Sequence, residues 1–273
     1  MINIKDKYII LNAPKCGTEN LNAILKDESA DGDVVEEYWP DQHTLWNINY
    51  SLHPHHTLSH ALDNIPNDHN INDYKISLLV RNPYDRIVSF FHYDLCNKII
   101  SEKIDKDTEI SIPRAFRAWL DTMSVNDFIR GKMLYDTEMR LTAHKIGKEH
   151  ETLGDSLSYI GWSRYWPMHK YIDVTIDNDI KIYKYENYVD EINKALIYST
   201  GDNEYNITLE SVQLVDKFLC ENYLDFCYDC NQGRVFDNWV DYYDGMDDYL
   251  IKRIQDYYKE DFERFGYDKN ITS

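Results

Sequence analysis

A short loop near the N-terminus, Pro14-Lys15-Cys16-Gly17-Thr18, most constrains how this chain can fold. It follows an apolar run, Tyr8–Leu11, and it precedes apolar residues at helical spacing: Leu21, Ile24 and Leu25. This order predicts a strand, a tight glycine turn and a helix, whose N-terminus carries about half a positive charge. Backbone N–H groups then converge on one spot, and such a corner binds phosphate or a similar anion. Lys15 adds a full positive charge at its mouth.

A second segment has the same predicted order of a strand followed by a helix. The apolar run Ile76–Val80 predicts another buried strand, and Arg81 follows its end. Pro83 suits the first position of a helix, which would carry Ser89 about two turns along. The chain therefore offers two anion sites after two strands. A nucleotide with phosphates at both ends of its ribose requires such a pair.

The paired segments Pro14–Thr18 and Arg81–Ser89 resemble the signature of sulfotransferases that use 3′-phosphoadenosine 5′-phosphosulfate (PAPS) and release PAP. The sequence Arg-Asn-Pro-Tyr-Asp-Arg-Ile-Val-Ser is most similar to that of the branch that sulfates carbohydrates. A C-terminal segment, from Asn231-Gln232-Gly233-Arg234 to Phe265-Gly266-Tyr267, resembles that branch too. The resemblance implies that Arg81 and Ser89 bind the 3′-phosphate. It implies a phosphosulfate loop made of Lys15, Cys16, Gly17, Thr18, Glu19 and Asn20.

Two other interpretations of the first loop stay open. A nucleotide kinase or another P-loop NTPase would carry G-x-x-x-x-G-K-[ST], with its lysine after the second glycine. Here Lys15 precedes a single glycine, which argues against a site for magnesium-bound ATP. The other interpretation is a strand-to-helix turn that needs Gly17 for its backbone and binds nothing.

Composition narrows the class of protein. The chain has 273 residues, which suits one domain, and a net charge of −19, which would repel nucleic acid. The same charge favours a neutral or weakly acidic acceptor over a densely sulfated one. Because the donor is highly anionic, we expect a local basic patch. The residues expected in the patch are Lys15, Arg81, Arg86 and Arg234.

The sequence shows no transmembrane helix or signal peptide, so a cytoplasmic protein without a membrane partner is predicted.

Strands alternate with helices along the chain, which predicts an α/β fold in which helices flank both faces of a P-loop-like parallel sheet. The resemblance implies the sulfotransferase fold, as a single domain over residues 1–273. The predicted strands cover 7–12, 76–81 and 180–185. The predicted helices run from the first loop to about 26 and over 83–100, 113–131, 135–146, 187–198 and 247–264.

Sulfuryl transfer needs a base for the proton of the acceptor hydroxyl. Histidine titrates near neutral pH, and the segment between the two phosphate motifs contains His53-Pro54-His55-His56 and His60. His56, in His-Thr-Leu-Ser, best matches the short pattern that similar enzymes carry there, and Lys15 is the second catalytic candidate. A metal bound by His56 and His60, or a solvated segment with no role, are the alternatives; no metal site is predicted.

Glu19 departs from the family pattern, since many relatives carry a second Thr or Ser there. A carboxylate beside a phosphosulfate is repulsive unless it points outward, so a PAP- or glycan-binding relative without turnover is a further alternative.

Overall fold

The computed structural model describes residues 2–3, 6–17, 57–63, 65–102, 112–122, 166–201, 207–208 and 238–271. Within them, the contacts divide the chain into two compact units. Unit 1 combines residues 1–80 with 130–212, and unit 2 combines residues 81–129 with 213–273. The single domain expected from the sequence stays a prediction.

Unit 1 is built on a four-stranded sheet in the order β1-β2-β3-β4. The strands are β1 (Ile2–Asn3), β2 (Tyr8–Asn12), β3 (Lys75–Val80) and β4 (Ile180–Lys184). β2, β3 and β4 are parallel, which confirms the predicted parallel α/β sheet and its three strands to within one residue at each end. β1 pairs antiparallel with β2 and was not predicted.

The central position of β3 explains its sequence. Ile76, Leu78, Leu79 and Val80 are buried because both neighbouring strands and the packed helices exclude water from the strand. Such runs without polar alternation are typical of parallel sheets covered on both faces. The helix Tyr188–Thr200 contacts β2, β3 and β4 and covers part of the sheet.

Six α-helices lie in the described part of the chain. α2 begins at Pro83, as expected of a proline at the first helical position. α4 ends at Gly201, whose φ of 78° provides the left-handed cap that favours glycine. None of the six combines the length and the apolar sequence that crossing a lipid bilayer requires. They are α1 (Leu58–Asp63), α2 (Pro83–Glu102), α3 (Ile112–Thr122), α4 (Tyr188–Thr200), α5 (Asp248–Tyr257) and α6 (Lys259–Phe265).

The C-terminal region corrects one prediction. The periodicity predicts one helix over 247–264, but the structure has α5 and α6 with Tyr258 between them. Tyr258 has φ −98° and ψ 19°, away from helical values, although its N–H still bonds to the Ile254 carbonyl. Its ring is buried and meets Tyr257 edge-on at 4.8 Å. The two helices are therefore separated by one residue whose ψ is not helical.

The core of unit 2 is aromatic. The ring of Tyr84 stacks on Trp239 with centroids 5.8 Å apart and meets Tyr243 and Phe262 at 5.2 Å. Rings buried this way bring large apolar area and favour offset or edge-on geometry. The hydroxyl groups keep partners: Tyr243 donates to the Tyr84 carbonyl at 2.8 Å, and Tyr84 donates to the Lys269 carbonyl at 2.7 Å. The Tyr and Phe content thus supplies the core, as the composition suggests.

Burial makes this core sensitive to alkaline pH. It raises the pKa of Tyr243 well above the ordinary value of about 10. Between these two pKa values the unfolded chain loses a proton that the folded chain keeps. The contribution of Tyr243 to the free energy of unfolding is therefore complete below about pH 10 and falls at higher pH.

The Tyr243→Phe variant should lose less of its free energy of unfolding than the wild type as the pH rises above about 10. At about pH 8 it should destabilise the protein by about 1 kcal/mol, because the Tyr84 carbonyl loses its donor. The gap between variant and wild type should narrow at about pH 10.5, where ionisation penalises only the wild type. Urea unfolding at both pH values measures this, with the exposed Tyr249→Phe as control. A gap that does not change with pH would contradict the assignment.

Candidate active site

The loop after β2 has an alternating backbone. Lys15 has φ +64° and Gly17 has φ +83°, whereas Cys16 between them does not have a positive φ. The Cys16 N–H donates to the Ala13 carbonyl at 3.3 Å, which closes the turn. Residues that alternate in this way turn successive N–H groups towards one point and form a concave anion site. A positive φ is costly for lysine, so the folded loop holds Lys15 in a strained conformation.

Cys16 faces the interior of unit 1. Its side chain is fully buried, and its Sγ lies 3.6 Å from Met168 Sδ and 3.8 Å from the Pro14 carbonyl oxygen. A thiol enclosed in this way anchors the loop to the 3-10 turn Met168–Tyr171. The side chain of Cys16 is thus enclosed and its backbone N–H donates to the Ala13 carbonyl, so its predicted role in binding stays a prediction.

Gly17 lies against two tyrosines. A Cβ at this position would be 2.3 Å from Tyr188 Cε2 and 3.0 Å from Tyr185 Cε2, so no other side chain fits without rearrangement. The Tyr188 hydroxyl donates to the Gly17 carbonyl at 2.9 Å. Tyr188 is the first residue of α4, directly after a 3-10 turn at the end of β4. The loop after β2 is therefore held by the end of β4.

In unit 2, Ser89 lies on one face of α2, and the side chain of Arg81 is directed to the same face. Arg81 directly follows the last residue of β3 and is only 5% exposed. Its Nε donates to Asp85 Oδ2 at 2.6 Å. Asp85 and Ser89 are four residues apart and share a helix face, and both are buried. The ion pair thus directs the guanidinium of Arg81 to the face that carries Ser89.

Arg86 lies in the interior of unit 2. It is fully buried, and its guanidinium covers the Phe90 ring at 4.8 Å. Its predicted place in a basic patch stays a prediction. Burial raises the pKa of Tyr257, an effect that Arg86 opposes and the fully buried Asp261 reinforces. Arg86 is part of this interior charge group.

The described part of the predicted base segment begins just after His56. Ser59, in the first turn of α1, donates its backbone N–H to Asp173 Oδ1 at 2.8 Å and its hydroxyl to Asp173 Oδ2 at 2.5 Å. Thr57 Oγ1 lies 3.0 Å from Ser59 Oγ. Asp173 lies before β4 in unit 1. The end of the segment between the two phosphate motifs is therefore fixed to the same unit as the loop after β2. The site predictions that fall outside the described residues are Thr18, Glu19, Asn20, His56 and Arg234.

Sequence reasoning missed three residues of this region. The spacing of Arg81 and Asp85 suits an ion pair one turn apart, so that contact could have been inferred. Asp173 and Tyr188 are 114 and 171 residues from their partners, and no local pattern announces such contacts.

Gly17→Ala should destabilise the protein more than Gly201→Ala. Both glycines have a positive φ, 83° and 78°, so both variants incur backbone strain. Only Gly17 also has a ring within 2.3 Å of the added methyl group, whereas Gly201 has only the flexible end of Lys75 at 3.6 Å. The difference in the free energy of unfolding should be about 1–3 kcal/mol, the usual cost of overpacking. Chemical denaturation measures it, and equal losses would contradict the tight contact.

The comparisons with known proteins agree with the fold. A search of curated proteins and a search of solved structures return no significant match. The family model described as the Sulfotransferase family matches residues 1–152, more than half of the chain. The matched range contains the loop after β2, the strands β1 to β3 and the start of α2 with Arg81 and Ser89. The chain belongs to the sulfotransferase family.

Proposed function

We propose that this protein transfers a sulfuryl group from PAPS to a hydroxyl group of a carbohydrate acceptor and releases PAP. Membership of the family supports sulfuryl transfer in general. The observation that carries the finer proposal is the backbone of the loop after β2, with positive φ at Lys15 and Gly17 on either side of Cys16. An anion such as the 5′-phosphosulfate fits a concavity of this kind.

The second phosphate of the donor is assigned to Arg81 and Ser89. β2 and β3 are parallel neighbours in register from Tyr8↔Lys75 to Asn12↔Leu79, so both strands end at one edge of the sheet. Ligands of open parallel sheets bind outside this carboxyl edge. Arginine offers a planar fork of N–H donors that suits phosphate, and Asp85 orients that fork through Nε.

The proposed reaction is an in-line displacement. The acceptor oxygen attacks the sulfur, the bond from sulfur to the bridging phosphate oxygen breaks, and PAP leaves. Lys15 would neutralise the charge that builds on the leaving phosphate, an interaction strongest in the transition state. His56 is the proposed base, which takes the proton of the acceptor hydroxyl.

The proposed acceptor is a neutral or weakly acidic glycan or a related small molecule. A net charge of −19 disfavours nucleic acids and densely sulfated chains by long-range repulsion. Aromatic side chains commonly provide the apolar surface on which sugar rings lie, and 14% of this sequence is aromatic.

One feature favours a second candidate. Glu19 puts a carboxylate into the proposed phosphosulfate loop. If it weakens productive binding of the donor, the chain would be a PAP- or glycan-binding relative without turnover.

Formation of PAP from PAPS in the presence of a pool of sugars tests the proposal. We expect release of PAP only when an acceptor is present, and thermal stabilisation by PAP but not by magnesium-bound ATP. Tight binding of PAP without turnover on any acceptor would favour the second candidate. Equal stabilisation by both nucleotides would contradict the choice of donor.

In the same assay, His56→Ala should keep affinity for PAP and lower turnover by about 10²–10⁴-fold, the usual contribution of a general base. The wild-type rate should rise with pH through the histidine range, near 6.5, and then level off. His53→Ala, His55→Ala and His60→Ala are the matched controls. Loss of turnover in one of these instead would move the base to that residue, and full activity in all four would exclude a histidine base.

Arg81→Lys should weaken PAP by about tenfold and leave adenosine 5′-phosphosulfate, which lacks the 3′-phosphate, unaffected. Lysine keeps a positive charge for the buried Asp85 but loses the planar fork. Replacement by alanine would instead leave Asp85 buried and unpaired, which destabilises the fold by about 3–5 kcal/mol. Calorimetric titration measures both affinities, with Arg114→Ala at an exposed position of α3 as control. Equal losses for both ligands would contradict the assignment.

A further inference from the structure

The Gly17 peptide is the part of the loop most prone to change direction. Glycine populates positive and negative φ about equally, so its own backbone does not fix which way its carbonyl points. In a trans peptide unit, the carbonyl and the N–H of the same plane point in opposite directions. A rotation of this unit would exchange an N–H donor for a carbonyl oxygen, which an anion would repel. A loop that binds an anion through its backbone therefore needs an external restraint at Gly17.

Tyr188 supplies such a restraint in this chain. Its hydroxyl donates to the Gly17 carbonyl at 2.9 Å, and its ring occupies the space next to the Gly17 Cα. The ring of Tyr185 lies against it, with centroids 5.0 Å apart. Tyr188 is itself held at the start of α4, which packs on three strands of the sheet. The carbonyl of Gly17 is thus tied to a rigid element distant in sequence.

We infer that Tyr188 is a positioning residue for donor binding: its hydroxyl holds the Gly17 carbonyl away from the anion, so that this oxygen does not repel the 5′-phosphate group. Tyr188 does not touch the nucleotide in this role. The inference rests on the proposed use of PAPS, and it concerns only the phosphate end that the loop binds.

Tyr188→Phe isolates the hydroxyl, because phenylalanine keeps the ring against Gly17. The hydrogen bond is neutral, so its removal should weaken PAP about three- to tenfold. Adenosine 3′-phosphate lacks the 5′-phosphate, and its affinity should not change. Displacement titrations with the two nucleotides measure both values, and the melting temperature without ligand reports whether the variant is folded. Tyr249→Phe, at an exposed position, is the control.

Each outcome bears on a different claim. A selective loss for PAP in a folded variant supports the positioning role. An unchanged affinity for PAP, or equal losses for PAP and adenosine 3′-phosphate, overturns it while the proposed function stands. If the wild type binds neither nucleotide, the proposed function fails and the inference fails with it.

Discussion

The parallel pairing of β2 with β3 is the constraint on which the rest of unit 1 depends. Five residue pairs, from Tyr8↔Lys75 to Asn12↔Leu79, fix both strands in one register. A shift of β2 by one residue would turn Ile9 and Leu11 to the face that now carries Ile10, so the packing of each face depends on this register. The register also decides which residues leave the sheet at its carboxyl edge. The loop with Lys15 and Gly17 follows β2 there.

Local patterns predicted the strands and the start of α2 well because their signals are local. The runs Ile9–Leu11 and Ile76–Val80 are apolar except for Ser77, and Pro83 marks a helix start. The interruption at Tyr258 has no such signal, since Ile254, Tyr258 and Phe262 keep helical spacing across it.

The candidate site likewise has features with a local sequence signal and features without one. The ion pair of Arg81 with Asp85 was predictable from their spacing, whereas anion binding by the two motifs stays a prediction. The burial of Arg86 was not predictable, because spacing gives a position on the helix but not what packs against it. The contact of Tyr188 with Gly17 depends on how the ends of β2 and β4 meet, and this is a property of the whole sheet.

The short strand β1 has a consequence for the protein in concentrated solution. Strands at the edge of a sheet expose unpaired backbone N–H and carbonyl groups, on which other chains can assemble. Ile2 and Asn3 pair with Ile9 and Tyr8, so the apolar strand β2 is not itself an edge. Within the described residues, the strand beyond β2 is two residues long, a length that limits pairing with a neighbouring strand. A hairpin of a few residues thereby shields the apolar strand β2 from pairing with other chains.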